Sequence, residues 1–404
     1  MSGPLQGIRI LEIGHFVAAP FAARVLGDLG AEVIKIEPPG GDPVRQWGAS
    51  VGGHGPWWSV HGRNKQCMTV NLKHPKAKKI VLDLAATSDV LLENFRPGHL
   101  DRFGLDEVTL RTAKPDLVIT RISGYGQTGP GRDRAAFGVI GEAVGGLRYL
   151  TDHAPGVADL PPVRTGISLG DSVAGLYAVI GIMSALWRRD SEKSSASGKG
   201  AHIDVALTEA VLSLLEGVLP EYGTLGKIRQ PTGGGIATTA PTNAYRTKSG
   251  RWVLIAANSD PLFERLCTMM ALPELLEDSR FASNQARVAH TQALDAVIQN
   301  WTSQFDLAEV EHMLAEYDIP SSRIFDAADC AADEQFRARG MVQEITDPLL
   351  GKTLHPGVVP RFEENDAPIR WTGPAIGAQT DEILLGMVGF SEDKIAALRK
   401  EGVV

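Results

Sequence analysis

Cysteine is scarce in this 404-residue chain: Cys67, Cys267 and Cys330 lie far apart, with no Cys-x-x-Cys or Cys/His spacing. Such usage excludes a disulfide framework or zinc knuckle and suits packed, free thiols in a reducing compartment. The ten histidines form no HxxH or HExxH pattern, so no metal site is expected. No Gly-x-Gly-x-x-Gly follows the first strand-like segment, which argues against a nicotinamide or flavin cofactor. A Gly-x-Ser-x-Gly hydrolase elbow is also missing. No uncharged apolar run reaches membrane-spanning length, and residues 1–4 carry no signal-peptide pattern. A cytoplasmic protein without membrane contact is therefore expected. Positive charge is in short supply: 40 Lys and Arg face 48 Asp and Glu, for a net charge of −8. That balance disfavours nonspecific nucleic-acid binding, which needs basic surface to displace counterions. It leaves room for a local basic cluster that holds a small polyanion.

What is present reads as an α/β protein. Residues 8–14, 31–37, 68–72, 89–95, 116–122 and 202–207 have the apolar character of buried strands. Helical segments at 20–30 and 75–86 fall between them, with Pro20 suited to a first turn and Gly30 to a C-terminal cap. Strands alternating with helices predict a doubly wound parallel sheet, whose ligands bind beyond the carboxyl ends of the strands. The composition changes near Gly233-Gly234-Gly235, and a hairpin over 243–257 followed by helices over 261–317 predicts a smaller α+β domain. The expected division is 1–225 for the first part of a large domain, 226–330 for the small one, and 331–404 for a linker and C-terminal return.

One stretch stands out: Gly-Ile-Ser-Leu-Gly-Asp-Ser-Val-Ala-Gly-Leu at 166–176, leading into an apolar helix that continues to Trp187. A helix apolar nearly all round is expected to be buried. Asp171 at its mouth is either an ordinary N-cap or a carboxylate kept ionised by the helix dipole and available as a nucleophile. Trp57 and Trp58, closing a glycine-rich loop, either line a pocket or plug a sheet edge.

The chain resembles the class III CoA-transferases, the family of formyl-CoA and carnitine CoA-transferases, along essentially its whole length. The resemblance rests on ordered blocks: Gly-Ile-Arg-Ile-Leu-Glu-Ile at 7–13, Leu-Gly-Ala-Glu-Val-Ile-Lys-Ile-Glu at 29–37, and Asn64-Lys65 with Leu72-Lys73. Further blocks are Glu-Asn-Phe-Arg-Pro-Gly at 93–98, Asp-Arg-Phe-Gly at 101–104, Ser-Gly-Tyr-Gly-Gln-Thr-Gly-Pro at 123–130, and Gly170-Asp171-Ser172.

The resemblance implies a Rossmann-like large domain, an interlocked homodimer, and transfer of CoA from an acyl-CoA to a free carboxylic acid through covalent aspartyl intermediates. It makes Asp171 the nucleophile. CoA contacts are implied for His15, Phe16, Val17, Val70, Lys73, Asn94, Phe95, Arg102 and Tyr125, with Arg96 as an additional contact. Trp47 and Trp57 fall where the formyl-CoA type has acyl-pocket aromatics, and Gly233, Gly234 and Gly235 match the family's lid. The formyl-CoA type carries glutamine where Val17 stands and arginine where Pro38 stands, which argues against an oxalate/formate substrate. The implied cofactor is none tightly bound, with a CoA thioester as substrate. The blocks at 137–143 and 161–168 look closer to relatives acting on small dicarboxylates, with succinyl-CoA as donor. Two alternatives are an α-methylacyl-CoA racemase, whose branch has a His-Asp pair near Phe137-Gly138, and a non-catalytic acyl-CoA-binding protein.

Overall fold

The apolar segments at the start of the chain close into a six-stranded parallel sheet. The computed structural model describes residues 3–195, 197–363 and 368–404. Strands β1 (Arg9–Ile13), β2 (Glu32–Glu37), β3 (Lys65–Thr69), β4 (Val90–Glu93), β5 (Val118–Ser123) and β6 (His202–Ala206) pair in the order β3-β2-β1-β4-β5-β6. Every pairing is parallel. The helices between them are α1 (Ala18–Asp28), α2 (Pro56–His61), α3 (Ala77–Ala86), α4 (Glu107–Ala113), α5 (Gly138–Val144), the single turn α6 (Leu147–Leu150), α7 (Leu169–Asp190) and α8 (Leu207–Leu212). Side chains alternate across the sheet as strand geometry demands. Leu11, Ile34, Leu91 and Ile119 join one core with α3, while Ile10, Val33, Val90 and Val118 join the other with α1 and α7.

Two compact units result. The larger takes residues up to Leu147, Thr165–Glu216 and Glu334–Val404; the smaller takes Arg148–Arg164 and Gly217–Asp333. Set beside the expected division at 225 and 330, residues 148–164 and 217–225 associate with the smaller unit. That unit holds α9 (Val218–Leu225), the sheet β7 (Thr242–Arg246), β8 (Trp252–Ala256) and β9 (Ser321–Arg323), and helices α10 (Asp260–Met269), α11 (Asn284–Ala289), α12 (Thr291–Thr302), α13 (Leu307–Glu316) and α14 (Ala327–Ala332). Its core is built on Val253, Ile255, Phe263, Leu294 and Val310. The chain returns to the larger unit with α15 (Glu334–Ala338), the antiparallel hairpin β10 (Val342–Asp347) and β11 (Gly351–Pro356), then α16 (Thr380–Gly386) and α17 (Glu392–Lys400). Helices α16 and α17 complete the first core through Ile383, Leu384, Ile395 and Leu398.

Two expectations need correction. The third strand begins at Lys65, not Met68. Polar Lys65 disguised its start, because its ammonium is neutralised inside the protein. The apolar helix α7 is only half buried: Ala174, Ala178, Val179 and Ile182 face the sheet and α1, whereas Leu176, Ile180, Met183 and Trp187 are exposed. Gly175 lets α1 approach closely, since a Cβ there would lie 2.9 Å from the Ala18 carbonyl oxygen. By length and composition α7 also meets the requirement for a membrane span, although one face is packed as a core helix.

Charged side chains lock the sheet to its surroundings. Arg63, fully buried, pairs with Asp28 at 2.7 Å and donates to the carbonyl of Pro356 at 2.6 Å. Asn64 donates to the other Asp28 oxygen at 2.9 Å. One guanidinium thus joins the end of α1 to the returning hairpin. Removing one partner of a buried pair strands the other charge in a low-dielectric interior. Arg63→Met is therefore expected to destabilise the fold by about 3–5 kcal/mol, read as a lowered urea midpoint; an unchanged midpoint would contradict this role.

Candidate active site

The order β2-β1-β4 places a topological switch point between β1 and β4, where successive crossovers diverge and leave a crevice. The loops leaving both strands meet there. Asn94 accepts from the His15 backbone N–H at 2.9 Å and donates to the His15 carbonyl at 2.9 Å, clamping one loop to the other. Gly14 makes the closure possible, since a Cβ would sit 2.6 Å from the Ala19 Cβ and 2.8 Å from Asn94 Oδ1.

A cavity of about 190 Å³ opens at this point, with Asp171, His15, Phe16, Asn94, Phe95, Arg96, Arg134 and Phe137 in its wall. Asp171 is not the cap of α7: Ser168 holds that position, and Asp171 is the third helical residue. It stays within the first turn, where the helix dipole favours negative charge. The turn is finished from outside, because buried Glu142 of α5 accepts the Gly170 N–H at 3.2 Å. Gly138, the first residue of α5, faces the nucleophile candidate directly. A Cβ at 138 would lie 2.0 Å from Asp171 Oδ2, so no other residue leaves the carboxylate in place.

Burial, reinforced by Lys35, lowers the His15 pKa, so its imidazole is neutral at pH 7. Burial alone would raise the Asp42 carboxyl, but Lys35 and the N–H groups of Val44 and Phe16 hold it below the usual range. The positive charge in the cavity wall comes from Arg96 and Arg134, neither of which forms an ion pair among the described residues. Arg134 lies 5.9 Å from the Tyr125 ring centroid.

A second cavity, about 140 Å³, shares His15 and Phe95 with the first and is lined by Pro38, Val70, Lys73, His99 and Phe103. The structure therefore brings together Asp171, His15, Phe16, Asn94 and Phe95, and joins Val70 and Lys73 to them through the shared wall. Val17 is buried under α1 and lines neither cavity; Arg102 is exposed and Tyr125 half-buried, and they too lie outside both linings. Trp47 and Trp57 pack together at 5.6 Å, and Trp47 reaches the cavity through Phe16 at 5.3 Å. Trp57 stacks on His61, whose pKa burial pushes down to about 3. Trp58 is buried, donates to the Pro374 carbonyl and lines a separate cavity of about 340 Å³ with Arg45 and Ser59. Gly233, Gly234 and Gly235 belong to the smaller unit, where the Gly233 N–H donates to the Asp152 carbonyl.

Arg134 and Asp42 went unnoticed in the sequence; Gly138 and Glu142 lay in the block 137–143, read there for substrate class and, at Gly138, as the place of the racemase branch's acid/base pair, not for a contact to Asp171 or its helix. All three cysteines are free thiols, and no group of three His, Cys, Asp or Glu among the described residues could hold a metal ion. The arrangement offers a carboxylate in a pocket walled by aromatic rings and two arginines. Gly138→Ala is expected to cut turnover of an acyl-CoA by about a hundredfold while leaving the thermal melting transition in place; wild-type turnover would refute the assigned contact.

Comparison with known proteins establishes the family. The model of CoA-transferase family III matches residues 5–380. The chain is 43% identical to succinyl-CoA–D-citramalate CoA-transferase of Chloroflexus aurantiacus, covering 99% of this chain and 98% of that protein. It is 32% identical to human succinyl-CoA:glutarate CoA-transferase, covering 99% and 90%. A crystal structure of a CaiB/BaiF family protein from Brucella suis superimposes with a TM-score of 0.84 at 32% identity, covering 96% of this chain and all of that one. With a family model spanning most of its length and full-length relatives above 30% identity, the chain belongs to CoA-transferase family III.

Proposed function

We propose that the enzyme moves CoA from succinyl-CoA to a small dicarboxylic acid, with Asp171 as the covalent relay. The carrying observation is the position of Asp171: it shares one cavity with the clamped His15–Asn94 loops, and Gly138 vacates the space its carboxylate occupies. An Asp171 oxygen attacks the thioester carbonyl, forming an acyl-aspartyl anhydride and releasing CoA thiolate. The thiolate attacks the aspartyl carbonyl, giving aspartyl-CoA and the donor acid. The acceptor carboxylate then attacks aspartyl-CoA, and the released thiolate collects the new acyl group, returning the aspartate. Each step exchanges one activated acyl bond for another, so the thioester free energy is retained.

Arg96 and Arg134 supply positive charge for the CoA phosphates or for a second substrate carboxylate. The relatives' own substrates, succinyl-CoA with citramalate, malate or glutarate, support the dicarboxylate reading. Racemisation finds no support, because Phe137 and Gly138 cannot move a proton. A silent acyl-CoA-binding role leaves the cleared space around Asp171 without purpose. The exposed apolar face of α7 favours a homodimer, since such a face is normally covered, and the free thiols suit the cytoplasm.

A panel of acyl-CoA donors against free acids tests the assignment. Succinyl-CoA with C4–C6 dicarboxylates is expected to give the highest kcat/KM, and Asp171→Ala to give none. Activity confined to monocarboxylates would overturn the substrate class; activity surviving in Asp171→Ala would overturn the relay.

A further inference from the structure

Phe16 has φ +63°, the left-handed region that a bulky L-residue avoids. Among the described residues it is the only aromatic with positive φ. Its ring stands between two parts of the site, 5.3 Å from Trp47 and 6.0 Å from Phe137 by ring centroids. What holds the backbone in this conformation is a set of buried charges.

The Phe16 N–H donates to Asp42 Oδ1 at 3.1 Å, an oxygen that also accepts from Val44 N–H at 3.0 Å. Asp42 Oδ2 is ion-paired with Lys35 Nζ at 2.9 Å. The same ammonium donates to Glu12 at 2.7 Å and to the Gly14 carbonyl at 2.8 Å. Lys65 donates to the other Glu12 oxygen at 2.8 Å and to the Pro20 carbonyl at 2.7 Å. Lys35, Lys65, Glu12 and Asp42 are all buried, and their formal charges cancel. The strained residue and the carbonyls on both sides of it, at Gly14 and Pro20, are thus each fixed by one of these side chains.

We propose that Asp42 is a positioning residue for the acyl pocket, pinning Phe16 so that its ring forms the wall between the Asp171 cavity and Trp47. The proposal rests on the transferase reading above. Loss of the pin lets Phe16 relax toward negative φ and swing its ring, which alters which acyl groups reach Asp171. Because Phe16 also stands among the implied CoA contacts, the diagnostic is the ranking of donors that carry the same CoA. A general loss of packing would slow all donors alike; a moved wall changes their ranking.

The test is a double-mutant cycle on donor selectivity. The ratio of kcat/KM for succinyl-CoA to that for acetyl-CoA is measured in wild type, Asp42→Ala, Phe16→Gly and the double variant. Asp42→Ala is expected to shift the ratio by about tenfold or more, a change that contacts to the CoA common to both donors cannot produce. In the Phe16→Gly background, where glycine adopts positive φ freely and no ring remains, Asp42→Ala is expected to shift the ratio no further. Asp42→Asn, which keeps an acceptor oxygen but loses the ion pair, supplies the same readout with a smaller shift if the alanine variant does not fold. An unchanged ratio in the soluble Asp42 variants, or equal shifts in both backgrounds, overturns the proposal. A wild-type enzyme that transfers no CoA from succinyl-CoA would instead overturn the functional reading on which it rests.

Discussion

Glu12 accepts two buried ammonium groups, Lys35 and Lys65, and the loop that faces the substrate hangs from that junction. Removing any one of these groups leaves an uncompensated charge in the interior, so the junction depends on all of them at once. Dinucleotide-binding proteins of similar sheet order shape the loop after the first strand with glycines that let the backbone approach a phosphate. Here the loop after β1 has no such motif. It is shaped by lysine ammonium groups on the carbonyls of Gly14 and Pro20 and by a carboxylate on the Phe16 N–H. The result is a rigid turn that can hold a strained aromatic residue beside a reactive carboxylate.

That junction also explains what could be read from the sequence and what could not. The sheet was legible because Ile10, Leu11 and Ile13, and their counterparts on neighbouring strands, are apolar on both faces. The start of β3 was hidden by Lys65, a residue that looks solvent-exposed until its counter-charge from β1 is known. Asp171 stood out locally as either a cap or a nucleophile, and it was the family resemblance that favoured the nucleophile. Its surroundings were not legible: Arg134 lines its cavity, Gly138 and Glu142 of α5 meet the first turn of α7, and Asp42 holds the Phe16 N–H, with no local pattern joining these three segments. Helix α7 shows the limit of composition most plainly. Its two faces are equally apolar, and only packing distinguishes Ala178, under the sheet, from Ile180, which is exposed.

The proposed chemistry asks for an ionised carboxylate at Asp171. It gains from the first turn of α7, Glu142 completes that turn, and Arg96 and Arg134 stand in the same cavity wall. Family membership establishes CoA transfer; in the relay proposed above, one aspartate carries an acyl group and then CoA in succession.

The relay makes a claim about a single oxygen atom. In the proposed sequence an acceptor carboxylate oxygen bridges to the aspartyl carbonyl and stays behind when the thiolate removes the new acyl group. Turnover with an acceptor acid labelled with oxygen-18, followed by mass spectrometry of the peptide that contains Asp171, reads this atom. The account predicts heavy oxygen in the Asp171 carboxylate after turnover. An unlabelled Asp171 after many turnovers would contradict it.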